Sequence, residues 1–165
     1  SPLTVEELLE ALEDPRFAVR FEAVVAITRA GSDPRLVDAL ARVMEGPEPA
    51  LSTLAAWALG RLGDPAGGAA LEKGLDSRYR SVQAHSSRSL GVLNNRVVVP
   101  EILQRLQDET DPGLQLAYAS TLGQMQVEEA TTRVLALLDA ASNSSSRAEL
   151  ALAVARIVGD EAHFI

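Results

Sequence analysis

Cysteine is missing from these 165 residues. Disulfides, thiolate metal sites and thiol nucleophiles are therefore excluded, while the redox compartment stays open. Aromatic side chains are scarce, at 4%. The interior must then be filled by aliphatics, and abundant Ala and Leu suit close helix packing better than strands. Basic residues are outnumbered, 15 Lys and Arg against 23 Asp and Glu, for a net charge of −8. An acidic surface repels phosphate backbones, so no nucleic-acid partner is expected. No apolar run approaches the roughly 18 residues of a membrane span, so no insertion into a bilayer is expected. Neither a signal-peptide pattern nor an initiator Met opens the chain. These features predict a cytoplasmic segment, or one at the cytoplasmic face of a membrane protein, excised from something longer.

Compact catalytic signatures are lacking too. The two histidines, His85 and His163, belong to no His-x-x-x-His set, and no acidic loop offers a metal site. There is no Gly-x-Gly-x-x-Gly, no phosphate-binding loop and no Gly-x-Ser-x-Gly elbow. The expectation is a chain without catalytic residues, metal or cofactor, and thus not an enzyme.

What the chain does contain is a repeat. The composition, 47% hydrophobic and 23% charged, is globular. Ala58-Leu59-Gly60-Arg61-Leu62 has counterparts starting at Ala26, Ser89, Thr121 and Ala153, in steps of 32, 31, 32 and 32 residues. One column is small: Ala26, Ala58, Ser89, Thr121 and Ala153. The next is aliphatic: Ile27, Leu59, Leu90, Leu122 and Val154. A column eight residues earlier holds Val19, Leu51, Val82, Leu114 and the outlier Ser146. Such offsets share one helix face. A second set, Leu8, Leu40, Leu71, Ile102 and Val134, lies between them with the same period.

Each repeat is therefore an outer helix followed by an inner one. The expected helices are 4–13 and 16–30, 34–45 and 48–62, 65–76 and 79–93, 97–108 and 112–125, and 128–140 and 146–158. The fold class is all-α, a right-handed α-α superhelix of about five hairpins in one domain. The repeats are 1–31, 32–63, 64–94, 95–126 and 127–159, and a stub at 160–165 starts a sixth.

Asp14-Pro15, Asp33-Pro34, Asp64-Pro65 and Asp111-Pro112 each pair an N-cap acid with a Pro suited to the first helical position. Gly31, Gly63, Gly159 and Asn94 suit the left-handed turn after a helix. Gly67, Gly68 and Gly74 predict a weak third outer helix that frays.

The Asp-Pro starts, the Val19-Arg20 pair, the Ala55-Ala56-Trp57-Ala58-Leu59-Gly60 core and the period resemble HEAT repeats of the short, bilin-lyase-like type, over essentially the whole chain. The Arg20 position departs from that pattern at Gln83 and Gln115 and returns at Arg147. Asp76 to Ser86 is also similar to HEAT segments attached to bacterial membrane transporters. Such repeats serve scaffolds, bilin lyases, DNA glycosylases and a metal-dependent hydroxylase, whose His-Glu ligand sets are absent here.

The resemblance implies that the inner helices line a concave surface. Its exposed stripe is expected at positions three, six and ten after the Val19 column. The candidate partner-binding residues are Arg29, Leu54, Trp57, Arg61, His85 and Arg88, with milder Ala117 in the fourth repeat. Trp and Arg are common hot-spot residues. The leading expectation is a monomeric, non-enzymatic scaffold for a protein or peptide. Alternatives are a regulatory or assembly domain of a larger protein, and a HEAT-type lyase or glycosylase-like enzyme.

The seam columns make a direct prediction. Leu59→Ala should cost about 2–5 kcal/mol in chemical denaturation, against about 0.5 kcal/mol or less for a surface position.

Overall fold

The computed structural model describes residues 2–159. The expected stub at 160–165, with His163, lies outside them. Ten α-helices follow one another and no strand occurs among the described residues: α1 (Val5–Leu12), α2 (Phe17–Ala30), α3 (Pro34–Met44), α4 (Pro49–Leu62), α5 (Gly68–Gly74), α6 (Arg80–Val92), α7 (Val99–Asp108), α8 (Pro112–Gln124), α9 (Thr131–Ala140) and α10 (Ser144–Val158). Short 3₁₀ turns, Pro65–Gly67, Arg96–Val98 and Glu128–Ala130, lead into α5, α7 and α9. The all-helical hairpin fold read from the period is thus the observed one.

The chain divides into two compact units, the first ending at Ser89 and the second beginning at Leu90. In the first, α1 packs on α2 and α3 on α4, while α2 meets α4 and α1 meets α3. In the second, α7 packs on α8 and α9 on α10, with α8 against α10. Helix therefore follows helix in two rows within each unit.

The repeated columns supply most of the core, although Val19, Ala26, Ser146 and Val154 are only half-buried. Leu8, Leu40, Leu71, Ile102 and Val134 of the outer helices are at most 1% exposed, and so are Ile27, Leu59, Leu90 and Leu122 of the inner ones. Burial of one such side chain contributes about 1.5–3 kcal/mol.

The glycine inside the Ala-Leu-Gly motif has a packing reason. A Cβ added at Gly60 would stand 2.8 Å from the Ser89 Cβ, and one at Gly123 would stand 2.7 Å from the Ala153 Cα. Each of these glycines thus meets the small column of the following inner helix, and backbone approaches backbone. In the first of these contacts, Ser89 Oγ donates to the Ala56 carbonyl at 2.7 Å.

A further column ties each outer helix to its inner partner. Arg20 Nη1 donates to the Asp14 carbonyl at 2.9 Å, Ser52 Oγ to that of Gly46 at 3.3 Å and Gln83 Nε2 to that of Ser77. Gln115 Nε2 reaches the Glu109 carbonyl at 2.8 Å, and Arg147 Nη1 that of Ala141 at 3.0 Å. The acceptor lies six residues upstream in every case. Gln83 and Gln115, departures from the motif as sequence, make the same bond as the arginines they replace.

Three local expectations need correction. Asp33, Asp64 and Asp111 cap helical turns with their carboxylates, but Asp14 does not. Its Oδ1 accepts from the Arg16 backbone and both carboxylate oxygens take the Arg16 guanidinium, so α2 starts later, with Arg16 at its N-cap. The Arg16 side chain holds the Asp14 carboxyl down at about 2. At the last hairpin, Asn143 caps through Ser146 and brings the start of α10 back to Ser144. In α5, which spans only 7 residues, the glycines are close-packed. A Cβ at Gly74 would lie 2.8 Å from the Met44 Cε, and one at Gly67 would lie 3.2 Å from Leu59. At these glycines α3, α4 and α6 come close to this stretch of chain. Gly31, Gly63, Gly159 and Asn94 all have positive φ, as does Gln126, which the residue type did not announce.

The seam geometry predicts a result opposite to helix propensity. Alanine is favoured over glycine in a helix by about 1 kcal/mol, yet Gly123→Ala should lower stability by about 1–3 kcal/mol, because the Ala153 backbone cannot give way. Thermal unfolding of the variant measures this directly.

Candidate functional site

All six candidate residues fall in the first unit, on α2, α4 and α6. Arg29 and Arg61 are exposed, and Leu54, His85 and Arg88 are half-buried. Trp57 is 38% exposed. It sits one residue before Ala58, which is fully buried, so its indole stands at the edge of the seam. Arg29 and Arg61 lie in the last turns of α2 and α4, where a cation complements the negative end of the helix dipole.

His85 Nδ1 lies 2.9 Å from the Ser81 carbonyl. A carbonyl only accepts, so Nδ1 carries the proton, and in the neutral ring the lone pair is on Nε2. The ring is thereby oriented with its basic nitrogen away from its own helix.

On α8 the stripe loses one of its positions, while Ser120 is half-buried and Gln124 exposed. Ala117 is fully buried, and its neighbour Tyr118 is 1% exposed. Close packing of α8 against α10 turns that part of the face into core. Burial raises the Tyr118 hydroxyl above the ordinary phenol range. Val92, by contrast, is 54% exposed.

Concavities lie elsewhere, beside the turns that join outer to inner helices. One in the first unit is an open groove of about 670 Å³ between α3, α5 and the 77–79 turn. Its floor is apolar and small-featured, with Ala41, Met44, Ala70, Gly74 and Val82. Its rim carries Arg42, Lys73, Arg78, Tyr79 and Glu45. The Arg78 guanidinium lies 5.0 Å from the centre of the Tyr79 ring, and Lys73 Nζ is 3.0 Å from Glu45 Oε1. A second groove of about 520 Å³, beside α1 and α3, shares Arg42 and Gly46 with the first. In the second unit a smaller groove, about 280 Å³, occupies the corresponding place beside α8 and α9. The sequence reading missed the groove. Its walls come from residues spread over more than one repeat, so no short motif marks it. Among the described residues no group of His, Asp and Glu could hold a metal ion, and no helix is long and apolar enough to cross a membrane.

Comparison with known proteins bears on both fold and function. The family model for HEAT repeats matches residues 5–84 and 69–155. No curated protein matches the chain. Among solved structures, the complex of CpcE and CpcF of phycocyanin lyase from Nostoc sp. PCC7120 contains a chain of similar fold. That match has a TM-score of 0.79 at 22% identity, covering 99% of this chain and 68% of that one.

This likeness overturns the expectation of a non-enzymatic scaffold and of a chain that is not an enzyme. Both rested on the absence of compact catalytic motifs. The fold found along 99% of this chain is one that a lyase complex uses, and a site assembled from several repeats leaves no compact motif to find.

The stripe can be tested apart from any partner. Because Trp57 and Arg61 are exposed, Trp57→Ala with Arg61→Glu should leave the far-ultraviolet circular dichroism spectrum and the melting temperature within a few degrees of the parent. A loss of helicity would place the indole in the seam.

Proposed function

The chain belongs to the HEAT-repeat family, and on that premise we propose that it is a lyase-type HEAT protein that handles a bilin and works together with a partner protein. The observation that carries this reading is the likeness to a chain of the phycocyanin lyase complex along 99% of the present sequence. A bilin is an extended, mostly apolar tetrapyrrole bearing carboxylates. Binding it calls for concave apolar surface with a few convergent cations, the general make-up of small-molecule sites.

The division of labour follows from the side chains available. With no cysteine among these residues, the chain offers no thiol to a covalent intermediate. Its contribution is to hold the bilin, keep it oriented and present it. The stripe of Arg29, Leu54, Trp57, Arg61, His85 and Arg88 then faces the protein that shares the work. Trp57 supplies contact area and the arginines supply orientation, in keeping with the usual make-up of interface anchors. His85, its Nε2 basic in the neutral ring, is the one mid-chain imidazole positioned to take or give a proton.

Titration with biliverdin tests the reading. The single tryptophan, Trp57, is a built-in reporter, because its emission should fall as a bound tetrapyrrole takes up its excitation energy. The long-wavelength bilin band should sharpen and shift at a stoichiometry of one. A bilin spectrum identical with and without the protein, and Trp57 emission that falls only in line with inner-filter absorption, would rule the reading out.

A further inference from the structure

Resting on that reading, we propose that the bilin is seated in the groove between α3, α5 and the 77–79 turn, held by its carboxylates on Arg42 and Arg78, rather than on the inner-helix stripe. Three features meet there and nowhere else among the grooves described.

The first is charge. The rim carries three cations, Arg42, Lys73 and Arg78, and a single carboxylate, Glu45, on a chain whose net charge is −8. Among the described residues Lys73 is paired with Glu45, whereas neither Arg42 nor Arg78 is paired with a carboxylate. Two uncompensated guanidiniums beside one apolar floor match a ligand with two propionates, each able to receive a forked pair of N–H donors. The neighbouring groove offers no such excess, because its Arg20 is already engaged by both oxygens of Glu48, at 2.6 and 2.7 Å.

The second is shape. The volume, about 670 Å³, falls within the roughly 300–1,000 Å³ typical of small-molecule sites. Gly74 lets α5 lie close against the Met44 methyl on the floor, which a Cβ at that position would meet at 2.8 Å. Methionine and alanine surfaces of this kind accept a flat conjugated body without a directional demand. The third is the Tyr79 ring. It is half-buried and stacked by Arg78, so it offers a face to a pyrrole next to the cation that would take its propionate.

Glu45 and Lys73 give the site its adjustable part. Their side chains are 64% and 76% exposed, and an ion pair so open contributes little. An arriving carboxylate can displace Glu45 from Lys73 and gain a third cation, against the repulsion of Glu45 itself.

The test uses the whole chain and biliverdin, with its dimethyl ester as the uncharged counterpart. Arg42→Glu with Arg78→Glu should weaken biliverdin binding at least tenfold while leaving the ester nearly unaffected. Glu45→Gln should tighten biliverdin binding severalfold, a gain that structural damage cannot imitate. Trp57→Ala with Arg61→Glu should leave the affinity within about twofold. If wild-type protein binds biliverdin but the stripe variant abolishes it and the groove variant does not, the seat is wrong and the bilin reading stands. Equal affinities for biliverdin and its ester would also overturn the carboxylate assignment. If wild-type protein binds neither, the bilin reading falls and takes the seat with it.

Discussion

Everything in this fold depends on how an outer helix is allowed to end. Its last carbonyls have no intrahelical partner, and the chain must turn back at once to lay the inner helix alongside. In all five repeats a side chain from the first turn of the inner helix donates to the carbonyl six residues upstream. The bond closes the corner, satisfies a carbonyl that would otherwise be wasted, and fixes the start of the inner helix against the end of the outer one. Arg, Ser and Gln all serve, because the geometry requires only a donor of suitable reach. Arg20 and Arg147 satisfy a second carbonyl as well, and Arg20 adds a link to Glu48 of the next hairpin.

Once the corners are fixed, the seams follow. Small residues at Ser89 and Ala153 let consecutive inner helices approach so closely that a Cβ opposite them would clash, as at Gly60 and Gly123. Aliphatic neighbours then fill the remaining space. This order of dependence explains why the fold was legible in the sequence. Period, small column and aliphatic column are all one-letter properties, and each answers to a constraint that recurs every 31 or 32 residues. The corner donor was less legible, since its chemistry is shared by residue types that look unlike one another. So were Gly74 of α5 and Gly67 of the turn before it, which read as weakness and are contact points for Met44 and Leu59.

The candidate site was much less visible. The exposure of Trp57 and Arg61 came through from helical phase, and Ala117 did not, because phase says which way a residue points and nothing about what its neighbour will bring. The cationic groove escaped altogether. Arg42, Lys73 and Arg78 lie on three different segments, and only the packing of α3 on α5 gathers them. The same dispersal misled the reading of function. A site distributed over several hairpins has no signature comparable with a phosphate loop or a nucleophile elbow, so an absence of motifs carries little weight in a repeat fold.

The hydrogen bonds that join one hairpin to the next span nearly constant distances along the chain: 28 residues from Arg20 to Glu48, 33 from Ser89 to Ala56, 29 from Arg96 to Met125 and 30 from Gln126 to Arg156. Each closes a loop of about one repeat, so each has nearly the same entropic cost. A chain organised this way has no single late step in which distant ends must find each other. Folding can begin at whichever hairpin forms first and advance by steps of equal difficulty. Its rate is then set by the repeat, and lengthening the array would slow it very little.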